Sequence, residues 1–284
     1  MTFIFPRGQH STLKNQLLTL LALAICVIHL FPLYWIIISS LKTNAEIFQS
    51  PPTFFPTKLC FDPYIGQLAG KFSIYRPLLN SFIIASSSMV IAIFLAVPAA
   101  YGLARYKIRG RSIFIMMFLV TQMLPVTLLL TPLYLTYAKI GILNTYLAPI
   151  LSNCTSSIPF IVLILRTYFL GLPKSLEDAA KIDGCNTFQT FIRVMLPVSR
   201  SGLIMAASFS FLFAWNDLVY AMTFMTRQIL WPMTTGMYNF MGKYGTEWNY
   251  VMAYATLLII PVIFIFIFLQ KYIVGGLTQG AVKG

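Results

Sequence analysis

The run "SLEDAAKIDGCNTFQTFIRVMLP", residues 175–197, stands between two long apolar stretches and is unlike either. The chain has seven acidic residues against twenty basic ones, and three of the seven, Glu177, Asp178 and Asp183, fall inside this run. Its spacing reads as two short helices. Ser175 with Asp178 three residues on forms a capping box, and Glu177 and Asp178 occupy a first turn where the helix dipole favours negative charge. Glu177 precedes Lys181 by four residues, the better orientation for an ion pair. Gly184 is placed to stop this helix just past its C-cap. Asn186 and Gln189 repeat the box, and Phe188, Phe191, Ile192 and Met195 recur at i, i+3, i+4, i+7 on one face until Pro197 ends the second arm. The expected product is a helix–turn–helix showing the small Ala179 and Ala180 on its first arm. Capping accounts for Glu177 and Asp178 but leaves Asp183 unexplained, and small residues between charges allow close approach by another protein. From spacing alone, a capped connector and a docking surface are both open.

Working outward, the flanks are membrane-like. The 284 residues are 58% hydrophobic and only 10% charged, with a mean hydropathy of +0.79, whereas a soluble domain carries about a quarter charged residues. Six stretches approach the roughly 20 apolar residues that cross a bilayer: 17–39, 79–101, 113–133, 147–165, 203–224 and 250–269. The expected fold is an all-α integral membrane protein of six transmembrane helices, with a helix–turn–helix between the fourth and fifth. Its parts are an N-terminal segment 1–16, a six-helix domain 17–270 containing the loop 166–200, and a tail 271–284. The first span lacks a small-x-small cleavage site and reads as retained. The basic hairpin "RYKIRGR", residues 105–111, places its side, the loop 166–200 and both termini in the cytoplasm by the positive-inside rule. A net charge of +13 spread this widely suits lipid headgroups and not nucleic acid. Cys26, Cys60, Cys154 and Cys185 share no segment, and His10 and His29 stand alone, so no metal site is expected. Prolines punctuate five spans (Pro32, Pro98, Pro125 with Pro132, Pro149 with Pro159, and Pro261), as bent membrane helices tolerate.

The loop resembles the signature of binding-protein-dependent ABC importer permeases: EAA, three residues, G, nine residues, I, one residue, LP. Here Asp178-Ala179-Ala180 is followed after three residues by Gly184, after nine by Val194, and then by Leu196-Pro197. Asp178 stands for the usual glutamate and Val194 for isoleucine, and every gap matches. "RTYFLGLPKSLEDAAKIDG" (166–184), "AWNDLVYA" (214–221) and "GLTQGAVKG" (276–284) are similar to the carbohydrate branch, the smaller membrane subunit of maltose-type importers in particular. The resemblance implies a bacterial or archaeal inner-membrane subunit working with a second permease subunit, two ATPase subunits and an extracytoplasmic substrate-binding protein. It also implies that the loop couples to the ATPase through Glu177, Asp178, Ala179, Ala180, Asp183, Gly184, Leu196 and Pro197, and that the tail is a second contact with the ATPase. ATP and magnesium are expected on the partners and no cofactor on this chain: "GMYNFMGKY" (236–244) misses the Walker A spacing and puts Tyr244 where Ser or Thr must hold magnesium.

Pathway candidates are Trp215, Asn216 and Asp217, the most polar point within a span, with Gln122, Asn153 and Ser86–Ser88 weaker. Trp215 is open to two readings, stacking on a sugar ring and sitting in the outer aromatic belt. Asp217 is open to three: a polar cavity, the partner permease and the outer interface. In the outer loop 227–249, Trp231, Tyr238, Tyr244 and Trp248 are expected, by the resemblance, to face the binding protein. An ion-coupled transporter would show more intramembrane acids or internal repeats, and an enzyme a catalytic cluster; the sequence shows neither. An amino-acid or other solute permease shares the loop and stays as the alternative.

Overall fold

The computed structural model describes residues 12–70, 73–242 and 245–281, with side chains from residue 14 to residue 270. In chain order the helices are α1 (Thr12–Ser40), α2 (Asn44–Ile47), α3 (Asp62–Ala69), α4 (Tyr75–Arg105), α5 (Arg111–Met123), α6 (Val126–Ile140) and α7 (Leu147–Gly171). There follow α8 (Ser175–Ile182), α9 (Thr187–Thr190), a π-helical turn (Phe191–Met195), α10 (Leu196–Val198), α11 (Arg200–Trp215), α12 (Val219–Phe224), α13 (Met233–Gly236) and α14 (Trp248–Ala281). Met241–Gly242 pairs antiparallel with Gly245–Thr246 in a two-residue ladder. Among the described residues four helices, α1, α4, α7 and α14, are each long and apolar enough to cross a membrane, and the spans number up to six if each of two bent helix pairs, 111–140 and 187–215, counts as one. The protein is an all-α integral membrane protein.

Three expectations change. The third span is not one helix: α5 and α6 meet at 97°. Pro125 lacks an N–H and its ring disfavours a helical residue before it; here Leu124 is extended at φ −76°, ψ 126°. Pro32, Pro98, Pro132, Pro159 and Pro261, by contrast, lie within continuous helices. The fifth span, expected over 203–224, ends at Trp215, is interrupted by Asn216–Leu218 and resumes as α12. Its start also turns, since Thr187–Val198 and Arg200–Trp215 are bent by 78°. Finally, the expected tail 271–284 is helical where it is described, because α14 continues to Ala281; residues 282–284 lie outside the described residues.

The chain divides into two compact units. Among the described residues, the first comprises 12–66, 240–242 and 245–256. In it Asn44 Oδ1 accepts the Asn249 N–H, and Tyr34 and Trp35 of α1 pack edge-on against Phe55 and Phe54. Beneath them Lys42, 2% exposed, donates to the Thr53 carbonyl and lies 5.0 Å from the Trp35 ring centroid. Glu46 Oε1 accepts from the Thr57 N–H at 2.7 Å and the Thr53 hydroxyl at 3.1 Å. These bonds, the Thr57 backbone donor foremost, hold the Glu46 carboxyl below the usual carboxylate range. A depressed carboxyl contributes stability that is present at neutral pH and is lost as pH falls through that range. The melting temperature of Glu46→Gln is therefore expected to fall less between pH 7 and acid than that of the wild type; equal falls would show that this carboxylate does not hold the loop.

The second unit comprises residues 67–239 and 257–284, and its core is built on α4. Ser88, Ala92, Ala96, Ala100 and Ala104 recur every four residues and are all buried, and the alanines pack with Ile161, Val162, Leu165 and Phe169 of α7. Small residues one turn apart let two helix backbones approach closely. Ser88 Oγ reaches the Ile150 carbonyl at 3.3 Å, and Cys154 Sγ the Ser88 carbonyl at 3.6 Å. On α11, Gly202 meets the face of Tyr168, where an added Cβ would lie 2.9 Å from the ring. Gly202→Ala is expected to destabilise by about 1–3 kcal/mol, read as a lower melting temperature in detergent; an unchanged value would contradict this packing.

Candidate functional site

The loop 172–199 folds as a helix–turn–helix, with its caps redistributed. Ser175 is the first residue of α8 and not its cap; Lys174 takes that place without a side-chain bond. Glu177 does not pair with Lys181. Its Oε1 lies 2.8 Å from Arg105 Nε at the end of α4, with side-chain exposures of 14% and 4%. Lys181 instead stands 4.0 Å from Asp178, both exposed to solvent. Arg105 Nη2 also donates to the Leu172 carbonyl at 2.9 Å.

The turn is tightly specified. Gly184 has φ +81°, its N–H donates to the Lys181 carbonyl at 3.0 Å, and the Cys185 N–H donates to the Ala180 carbonyl at 2.9 Å. This is a Schellman ending, which needs a left-handed residue at this position. Asn186 and Gln189 close the second capping box reciprocally, each bond 2.9 Å. The second arm then departs from regular helix. The π-helical turn adds a residue, so Phe191 and Met195 point inward, Met195 fully buried, while Phe188 and Ile192 stay exposed. The single apolar face expected from spacing is thus split. The two alanines are split as well, Ala180 buried and Ala179 exposed. Leu196 is half-buried against the core and Pro197 is exposed.

Among the residues exposed on the two sides of the Gly184 turn are Asp178, Ala179, Ile182, Asp183 and Phe188. Ile182 is 86% exposed and Phe188 69%. Asp183 is the C-cap of α8, where a negative charge opposes the helix dipole; helix stability is not its reason for being there.

The polar point in the fifth span has a local cause. Asp217 Oδ1 accepts the Tyr220 N–H at 3.0 Å and Oδ2 the Ala221 N–H at 3.1 Å, with Asn153 Nδ2 at 3.4 Å. The carboxylate caps α12, satisfying amides freed by the helix break. Trp215 is 1% exposed and stacks on Phe211 at 5.6 Å. It is core, and neither sugar stacking nor the outer aromatic belt describes it. Gln122, Asn153, Asn216 and Asp217 border hollows that share Phe213, whereas Ser86–Ser88 line none of them and Ser88 is buried against Ile150. Hollows of about 340 and 220 Å³ both border Gln122, Ser156 and Phe213, and a third of about 510 Å³ borders Asn153, Asn216, Asp217 and Phe213.

In the loop 227–249, Trp231 is an anchor and not a presented ring: its indole N–H donates to the Met225 carbonyl at 2.8 Å. Its own carbonyl, with that of Ile229, accepts from Asn80 Nδ2, each at 2.9 Å. Asn80 is fully buried, and Ser81 Oγ accepts the Met233 N–H at 2.8 Å. Tyr238 and Trp248 are exposed by 38% and 37%; Tyr244 lies outside the described residues. No local spacing marks Asn80, Ser81 or the Arg105–Glu177 pair: Asn80, Ser81 and Arg105 are polar residues near the ends of an apolar span, and Glu177 lies in the loop. Among the described residues, no three His, Cys, Asp or Glu side chains are grouped to hold a metal.

Fold and site together define a multi-span membrane subunit with a rigid, partly apolar loop projecting from its helices. Residues 88–279 match the family described as binding-protein-dependent transport system inner membrane component, and the chain belongs to that family; it is a transport subunit. It is similar to the probable ABC transporter permease protein YurM of Bacillus subtilis, 33% identical over 254 residues, 89% of this chain and 84% of that one. The sulfoquinovosyl glycerol transport system permease protein SmoH of Agrobacterium fabrum is 31% identical over 278 residues, 98% of this chain and 97% of that one. The diacetylchitobiose uptake system permease protein DasC of Streptomyces coelicolor is 32% identical over 255 residues, 89% and 92%. The fold is shared, at TM-score 0.77 and 21% identity, with a chain in the crystal structure of a bacterial ABC transporter that imports the acidic polysaccharide alginate, over 95% of this chain and 99% of that one.

Asp217→Ala is expected to cost about 1 kcal/mol through loss of the α12 cap, and Asp217→Asn less. Thermal unfolding of the purified variants checks the order; equal stability of all three would show the cap to be idle.

Proposed function

We propose that this chain is the membrane-spanning permease subunit of an ATP-driven importer. It carries a carbohydrate, delivered by an extracytoplasmic binding protein, across a bacterial or archaeal cell membrane. Both termini and the loop 172–199 lie in the cytoplasm. A second permease subunit completes the pathway, and two ATPase subunits bind ATP and magnesium. The observation that carries this reading is the loop surface: Ile182 and Phe188 stand exposed beside Asp178 and Asp183 on a turn held rigid by the Gly184 ending and the Asn186–Gln189 box. An isoleucine and a phenylalanine offered on a braced turn suit a cleft on a partner better than they suit water. Ala179, exposed between them, permits close contact. Glu177 belongs to the loop's attachment and not to this surface.

The solute reading draws on the relatives' names and on the hollows around Phe213. Gln122, Asn216 and Asp217 offer amide and carboxylate groups beside an aromatic ring, a combination that suits hydroxyls and the apolar faces of a sugar. Tyr238 and Trp248 are the exposed aromatics available to the binding protein.

Gly184→Pro is the direct test, because proline fixes φ near −65° where the turn requires a positive value. In the reconstituted assembly, stimulation of ATP hydrolysis by loaded binding protein is expected to disappear while the subunits still co-purify. Full stimulation and uptake in this variant would reduce the loop to a capped connector and overturn the reading.

A further inference from the structure

Both arms of the loop are fastened to the last turn of one helix. Arg105 ends α4, pairs with Glu177 of the first arm at 2.8 Å and donates to the carbonyl of Leu172, just before that arm, at 2.9 Å. Tyr101, four residues earlier and so on the same face of α4, meets the second arm through Phe191, ring centroids 4.8 Å apart, and packs on Phe169 of α7 at 5.4 Å. The ion pair is nearly enclosed. A charge buried with one specific partner fixes geometry, and losing either partner strands the other. A cation at a helix C-terminus also matches the dipole there.

The same helix has a second attachment at its far end. Asn80 and Ser81 hold the Ile229, Trp231 and Met233 backbone. From Asn80 to Arg105 α4 is unbroken, a length of roughly 37 Å, and the alanine stripe packs it tightly against α7 between the two.

We infer that Arg105 is a positioning residue for energy coupling: through Glu177 it locks the docking loop to α4, so that a displacement of the loop moves α4 with it and reaches the pathway and the outer segment 229–233. Without the lock, the same displacement is taken up by the connection at Leu172–Lys174. The inference rests on the loop being the ATPase docking site.

The test uses the complete assembly with its binding protein in liposomes, in a background with the four native cysteines replaced by serine. Val219→Cys, which borders the hollow beside Asp217 without being one of its polar groups, serves as the reporter of outward opening. Two quantities are read: hydrolysis of MgATP, and the rise in labelling by an external membrane-impermeant maleimide when MgATP and orthovanadate trap the closed ATPase. Arg105→Gln and Glu177→Gln are each expected to keep hydrolysing ATP but to show a rise about tenfold smaller, within the range that coupling positions command. The exchange Arg105→Glu with Glu177→Arg is expected to recover the rise to within about threefold, and Arg105→Lys, which cannot hold both acceptors, to fall between. A full rise in the single variants, or no recovery in an assembled exchange, overturns the proposal. Should the single variants fail to assemble, a full rise in Arg105→Lys overturns it and a reduced one supports it. If the reporter background hydrolyses ATP without any rise, the pathway reading fails first and the proposal with it.

Discussion

Helices in lipid gain nothing from hiding apolar surface against one another, since lipid tails are as apolar as leucine, so their association depends on close contact. Here that contact is concentrated on α4, where Ser88, Ala92, Ala96, Ala100 and Ala104 present a smooth stripe to α7. The stripe places two backbones near enough for serine and cysteine side chains to reach main-chain carbonyls. α11 joins through the bare Cα of Gly202 under Tyr168. The remaining features of this unit are attached to that pair: the loop at one end of α4 and the segment 229–233 at the other.

A second constraint is that backbone groups freed within a membrane must find partners inside the protein. Two of the helix breaks, at Pro125 and after Trp215, meet this locally. At Pro125 the missing N–H removes a donor that would otherwise be orphaned, and α6 starts afresh from the extended proline. After Trp215 the interruption frees the first amides of α12, and Asp217 takes two of them. The acid that marks the fifth span thus has a structural task. Its exposure to the hollow beside Asn216 gives it room for a second one.

The loop shows how scarce charge is divided. Of its three acids, Glu177 is turned inward to Arg105, Asp178 lies outside beside Lys181, and Asp183 caps a turn that gains no stability from its charge. The π-helical turn divides the apolar residues in the same way, Phe191 and Met195 holding the arm down and Phe188 left free. Attachment and presentation are built from interleaved residues, so the loop can be gripped from outside without loosening its hold inside.

The sequence by itself determined whatever depends on local pattern. Six apolar stretches, the Gly184 ending, the Asn186–Gln189 box and the family of the chain are all written in spacing, because hydropathy, capping and turn chemistry act within a few residues. It also named Gln122, Asn153, Asn216 and Asp217, since polar groups are conspicuous in an apolar run. Tertiary structure decided which way those residues face and what they meet. Trp215 became core, Trp231 an anchor, and Glu177 chose Arg105, seventy-two positions away, over Lys181, four away. Both salt bridges were chemically available; burial settled the choice, because an ion pair sheltered from water interacts far more strongly than one on a solvated helix face. Which pair is sheltered depends on the packing of α4 against α7, and no local spacing encodes that.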